Sequence, residues 1–342
     1  MRGSLKEAHH VATVRMATIQ KQMEDFGLYL GGNDSTGILP GGPYVLIREL
    51  SSTAADESST AGPIVAKAIG PHDVPIRATL YGVVIFEFSR SRRYKLKKAA
   101  ADSFPTDKNY FHRLQYMNSF LMTYLSALNI LMNIGFPTQN PISSQNFLLC
   151  YKICDGWQIN KQPRFSKHRN RVNLSPEVII KSVDLMNAAY ETLSDDSFMI
   201  MSILYIAQRR YSENDFSSAL ILSWTIVEVV LNKMWVLYIE KNVRNEKNTA
   251  GSFGEKRKKF LTSLNSTATV SQMMAFCDLI EEDILDSIDR SRVARNSFVH
   301  KLKSINEEDA AMTIKLATDL LSRAIGQPLY CSLMRHFIGG LA

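Results

Sequence analysis

The segment 289–300 (DRSRVARNSFVH) brings together three side chains of complementary chemistry, Arg295, Asn296 and His300. An imidazole both takes and gives a proton near neutral pH. A guanidinium is a planar fork of donors suited to phosphate or carboxylate oxygens. On a straight helix five residues advance about 500°, which leaves Arg295 and His300 about 140° apart. Asn296 and His300 are only about 40° apart and share a face. One straight helix therefore does not aim the arginine and the histidine at a single atom. Either Arg295 lies at the helix entrance, or a second subunit completes the site.

Upstream, a helix is expected over 214–241, where Trp224, Glu228, Leu231 and Trp235 fall on one face. The tryptophans read as core packing rather than as stacking platforms for bases. Glu228 is embedded in the run IVEVVL at 226–231. A carboxylate there is either partly exposed or buried against a cation, because an unpaired buried charge is costly. Arg295 is the expected partner.

Taken with this helix (ALILSWTIVE at 219–228) and the basic segment after it, the run Arg295-Asn296-Ser-Phe-Val-His300 resembles the HEPN ribonuclease superfamily, and most of all its Apea-like branch. The family signature is an arginine, commonly followed by a polar residue, with a histidine a few residues on. The bare spacing also occurs at Arg2 and His9; the asparagine and the helical context make the later instance more specific. The resemblance covers roughly residues 195–325. It implies a homodimer whose two motifs line one composite active site, and metal-independent, cofactor-free cleavage of RNA. In that chemistry the ribose 2′-OH attacks the neighbouring phosphorus, leaving a 2′,3′-cyclic phosphate and a 5′-OH. His300 would be general acid or base. Arg295 would stabilise the phosphorane oxygens. Asn296 would orient His300 or hold a phosphate oxygen, and Glu228 would hold Arg295 in place. Branch members occur in bacterial anti-phage and abortive-infection proteins, so the resemblance also implies a toxin-like effector gated by an antitoxin or a phage-derived trigger. An alternative family signature has Tyr two residues after the His; Leu302 stands there, and modification of such a Tyr is not expected.

The elements that must position these residues change character near residue 173. The first part, 1–172, reads as an α+β domain, expected to be a sensor or regulatory module. Strands are expected at 44–47, 63–68, 78–88 (ATLYGVVIFEF) and 146–153, with a helix over 107–132. Residues 159–173 carry five cations and no acid, and read as an exposed loop. The second part, 173–342, reads as an all-helical, HEPN-like bundle. Its helices are expected at 176–193, 196–210, 214–241, 254–264, 270–289, 291–304 and 307–325.

Composition narrows the function classes. With 45% hydrophobic and 21% charged residues among 342, global disorder and a disulfide mini-scaffold are excluded. Four scattered cysteines and an N-terminus without an apolar core point to a reducing, cytoplasmic setting. The uncharged stretch 114–136 carries its polar residues in one helical stripe, so it reads as a buried helix rather than a membrane span, and 219–239 is interrupted by Glu228, Asn232 and Lys233. No Gly-rich phosphate loop, HExxH or GxSxG occurs, and no metal or cofactor is called for.

The formal net charge is +7, compatible with a polyanionic partner. Lys256, Arg257, Lys258 and Lys259, together with Arg292, are the residues expected to steer RNA. The cluster at 90–98 reads first as a solvated loop; the other reading is that Arg92, Arg93 and Lys95 with Tyr94 track an RNA backbone. The leading expectation is an RNA endonuclease. The competing readings are a non-catalytic nucleic-acid- or nucleotide-binding module and a helical scaffold without RNA contact.

Overall fold

The computed structural model describes residues 46–49, 64–79, 83–88, 91–94, 108–133, 175–243, 251, 254–264 and 266–334. Among them, a small sheet near the N-terminus is followed by eight helices. Two compact units divide the chain, and the first break between them falls between Phe104 and Pro105.

The sheet unit holds β1 (Leu46–Glu49), β2 (Ile64–Gly70), β3 (Val74–Thr79) and β4 (Val83–Phe86) in the order β1-β4-β3-β2. β1 runs parallel to β4; the other neighbours are antiparallel. A tight turn at Pro71–Asp73 joins β2 to β3, with His72 at φ 59° and Asp73 at φ 55°. Consecutive left-handed residues give the backbone twist that a short hairpin needs. Val74, Ile76 and Ala78 on β3 and Val84 and Phe86 on β4 are wholly buried, at the two-residue period of a sheet face. The run expected as one strand over 78–88 is in fact the end of β3 and all of β4. Ala78 pairs with Val84 and Ile76 with Phe86. β-branched residues on both sides of a reversal look the same as one long strand; Gly82 was the local sign of the break.

The helical unit contains α1 (Lys108–Met132), most of α2 (Pro176–Leu193), α3 (Asp196–Ser212), α4 (Phe216–Asn242), α5 (Glu255–Thr262), α6 (Thr267–Phe276), α7 (Glu282–Lys301) and α8 (Glu307–Ile325). α4 is central: it packs against α3, α5, α6, α7 and α8. This explains why it is apolar nearly all round. It is the one described helix long and apolar enough to cross a membrane by length and composition, with a mean hydropathy of 1.6 over its most apolar window.

α1 packs along α3, so it belongs with the helical unit and not with the first 172 residues, where the change in composition placed it. Its polar stripe is buried at Asn118, Ser119, Thr123 and Ser126, half-buried at Gln115 and Asn129, and exposed at Asn133. Ser119, Thr123 and Ser126 satisfy their hydroxyls on the carbonyls of Tyr116, Phe120 and Met122. Ser126 Oγ also accepts from the backbone N–H of Tyr330 at 3.0 Å.

Expected and observed helix ends differ most after residue 266. One helix was expected over 270–289 and another over 291–304. Instead α6 stops at Phe276 and α7 begins at Glu282. Asp278, at φ 54°, makes the break without a glycine or proline to announce it. The strand expected at 146–153 and the basic loop at 159–173 lie outside the described residues.

Candidate functional site

α7 is two helices in character. In its first half Ile284, Leu285, Ile288 and Ser291 are buried, and the helix packs against α4, α6 and α8. Ser291 Oγ accepts from Thr313 Oγ1 of α8 at 3.1 Å. Arg323 of α8 donates to Glu281 at the foot of α7, and this hydrogen bond holds the Glu281 carboxyl below the ordinary range. From Arg292 to Lys301 no residue is buried. Acids open the helix, and His300 and Lys301 close it, in line with the helix dipole. Leu302 then takes the left-handed conformation at φ 52°; its N–H donates to the carbonyl of Phe298, and that of Lys303 to the carbonyl of Ser297.

The sequence-predicted trio sits on this half. Arg295 lies well inside α7, so the possibility that it marks a helix entrance is overturned. Arg295 Nη1 donates to Asn296 Oδ1 at 3.0 Å. This bond draws the guanidinium round the helix toward the side carrying Asn296. It also gives Asn296 a partner other than His300, and leaves the amide NH2 as a donor for a ligand. Arg295 and Asn296 are half-buried, and His300 is exposed, with no hydrogen bond among the described residues.

One expected contact is corrected. Glu228 does not hold Arg295. Its Oε1 accepts from Thr267 Oγ1 at 3.3 Å, beside the first turn of α6, where the helix dipole also favours a negative charge. A half-buried acid in an apolar helix is thus accounted for by packing alone. Arg292 is held by Asp289, one turn earlier, at 3.0 Å. The Asp-x-x-Arg spacing in the sequence was the sign of that pair. Thr267, which sequence reasoning missed, had no local signal; it meets Glu228 only because α6 packs on α4.

The remaining tryptophan reading holds. Trp224, Leu231 and Trp235 are buried, and Trp235 Nε1 donates to the carbonyl of Leu261 at 3.0 Å, which fixes α5 to α4. On α5, Lys256, Arg257 and Lys259 are exposed and Lys258 is half-buried. In the sheet unit Arg92 and Arg93 are exposed, but Tyr94 is 1% exposed and packs edge-on against Phe88 at 4.9 Å. Tyr94 therefore has no face to offer a base; Lys95 lies outside the described residues.

Chemically, the second half of α7 presents an imidazole, a guanidinium and an amide, the first exposed and the other two half-buried. Comparison with family models, curated proteins and solved structures finds no match to this chain.

Proposed function

We propose that this chain is a metal-independent RNA endonuclease of the HEPN kind, acting as a cytoplasmic toxin or anti-phage effector. The observation that carries the reading is the placement of Arg295, Asn296 and His300 together on the half of α7 in which no residue is fully buried. The imidazole of His300 is solvent-facing and has no hydrogen bond among the described residues, so a bound RNA can reach it.

In this reading the 2′-oxygen forms a bond to phosphorus while the bond from phosphorus to the 5′-oxygen breaks. One His300 takes the 2′-OH proton, and the second His300 of a pair, or water where that side chain is missing, supplies a proton to the leaving 5′-oxygen. Arg295, positioned by Asn296, stabilises the charge on the non-bridging oxygens. The family resemblance favours a cleft shared by two copies, with α7 of each facing the other. A helical half with no buried residue is the surface available for that pairing. Glu228 has no part in the chemistry.

Two experiments test this. Labelled RNA incubated with purified protein and EDTA should be cut; binding without cutting would favour a non-catalytic module. Mixing Arg295→Ala with His300→Ala protomers should restore part of the activity, because a mixed dimer holds one intact group of each kind. A mixture that exchanges subunits yet stays inactive would rule out the shared cleft.

A further inference from the structure

Resting on the proposed RNA substrate, we infer that α5 is a strand-gripping site of its own, in which Phe260 stacks on an unpaired base while Lys256 and Lys259 hold the adjoining phosphates. The inner side of α5 is fixed. Leu261 is 6% exposed, and its carbonyl receives the Trp235 indole N–H. The outer side is therefore defined. There Phe260 is 65% exposed. Lys256, one turn earlier, lies about 40° from it round the helix. Lys256 and Lys259, with Lys258, Glu255 and Thr262, line an open surface depression of about 490 Å³.

Four cations against one acid within residues 255–259 select a polyanion. The phenyl ring narrows that choice. A ring left in water forgoes roughly 1.5–3 kcal/mol of burial, and beside lysines its natural cover is a flat apolar surface flanked by negative charge. An unpaired nucleobase between phosphates is such a surface. A duplex supplies the phosphates, but its bases already stack on one another, so Phe260 finds no face to cover.

The test measures binding apart from cutting. Fluorescence anisotropy of the full chain is followed with a labelled 2′-O-methyl oligonucleotide, whose blocked 2′-oxygen prevents transesterification, and with the duplex of the same strand. The single strand should bind at least tenfold tighter. Phe260→Ala should weaken single-strand binding by roughly 5- to 150-fold and leave duplex binding and the melting temperature unchanged. Lys256→Gln with Lys259→Gln should weaken both and lower the single-strand salt slope by about 1.4. Equal affinity for the two forms, no effect of Phe260→Ala, or displacement by polyglutamate as readily as by RNA would overturn the inference, the last pointing to an acidic protein partner. The two proposals fail separately. Cutting of unmodified RNA with no role for Phe260 defeats this one alone; Phe260-dependent binding without cutting defeats the nuclease reading alone.

Discussion

α4 and the second half of α7 pack within the same bundle and treat their polar residues in opposite ways. α4 places Glu228 in an apolar run and satisfies it at once on Thr267 of a neighbouring helix. Its other intruding charge, Lys233, pairs with Asp196 at 2.8 Å. The second half of α7 leaves His300 exposed and spends the Arg295 guanidinium on the adjacent Asn296 rather than on an acid. The lesson is that a charged residue in an apolar helix is weak evidence for a site once a neighbour explains it. An arginine and a histidine with no acidic partner among the described residues are not explained in that way.

That contrast can be broken from either side. His300→Ala should lower RNA cleavage by about 10²- to 10⁴-fold, the usual worth of a general acid or base, with the melting curve of wild type; a fall in stability to match would return His300 to the scaffold. On α4, Trp235→Ala should do the reverse. Chemical denaturation should show a loss of about 3–5 kcal/mol, from the cavity and the orphaned Leu261 carbonyl, whatever the activity of the fraction that remains folded. Leu302→Gly relieves a left-handed leucine at the end of α7, and should raise stability by about 0.5–1 kcal/mol after the extra chain entropy of glycine is offset. Smallest is Glu228→Gln, which keeps an acceptor for Thr267. Stability should stay within about 0.5 kcal/mol and cleavage should be unaltered. A large loss of cleavage there would show that Glu228 reaches Arg295 after all.

Legibility in the sequence followed how local each signal was. The last helix was read with its observed ends because Asn306 caps it, accepting from Asp309 N–H at 2.7 Å, and Gly326 ends it at φ 65°. The gap between α6 and α7 went unread, since an aspartate carries the left-handed turn there. α1 was recognised as a helix but grouped with the wrong unit; periodicity shows that a helix has a face to bury, not which helix covers it. In the candidate site the residue types and the angular problem were legible. The bond from Arg295 to Asn296 and the loss of Glu228 to Thr267 depend on rotamers and on helix packing, which spacing alone does not determine.

The central claim is that the exposed imidazole of α7 transfers protons during RNA cleavage without a metal. It is tested most directly by mass analysis of the 3′ ends of RNA fragments made in EDTA by wild type and by His300→Ala at equal concentration. Wild type should leave 2′,3′-cyclic phosphate ends, and the variant almost no fragments. Ends of another kind, or the same fragments from both proteins, would contradict the claim.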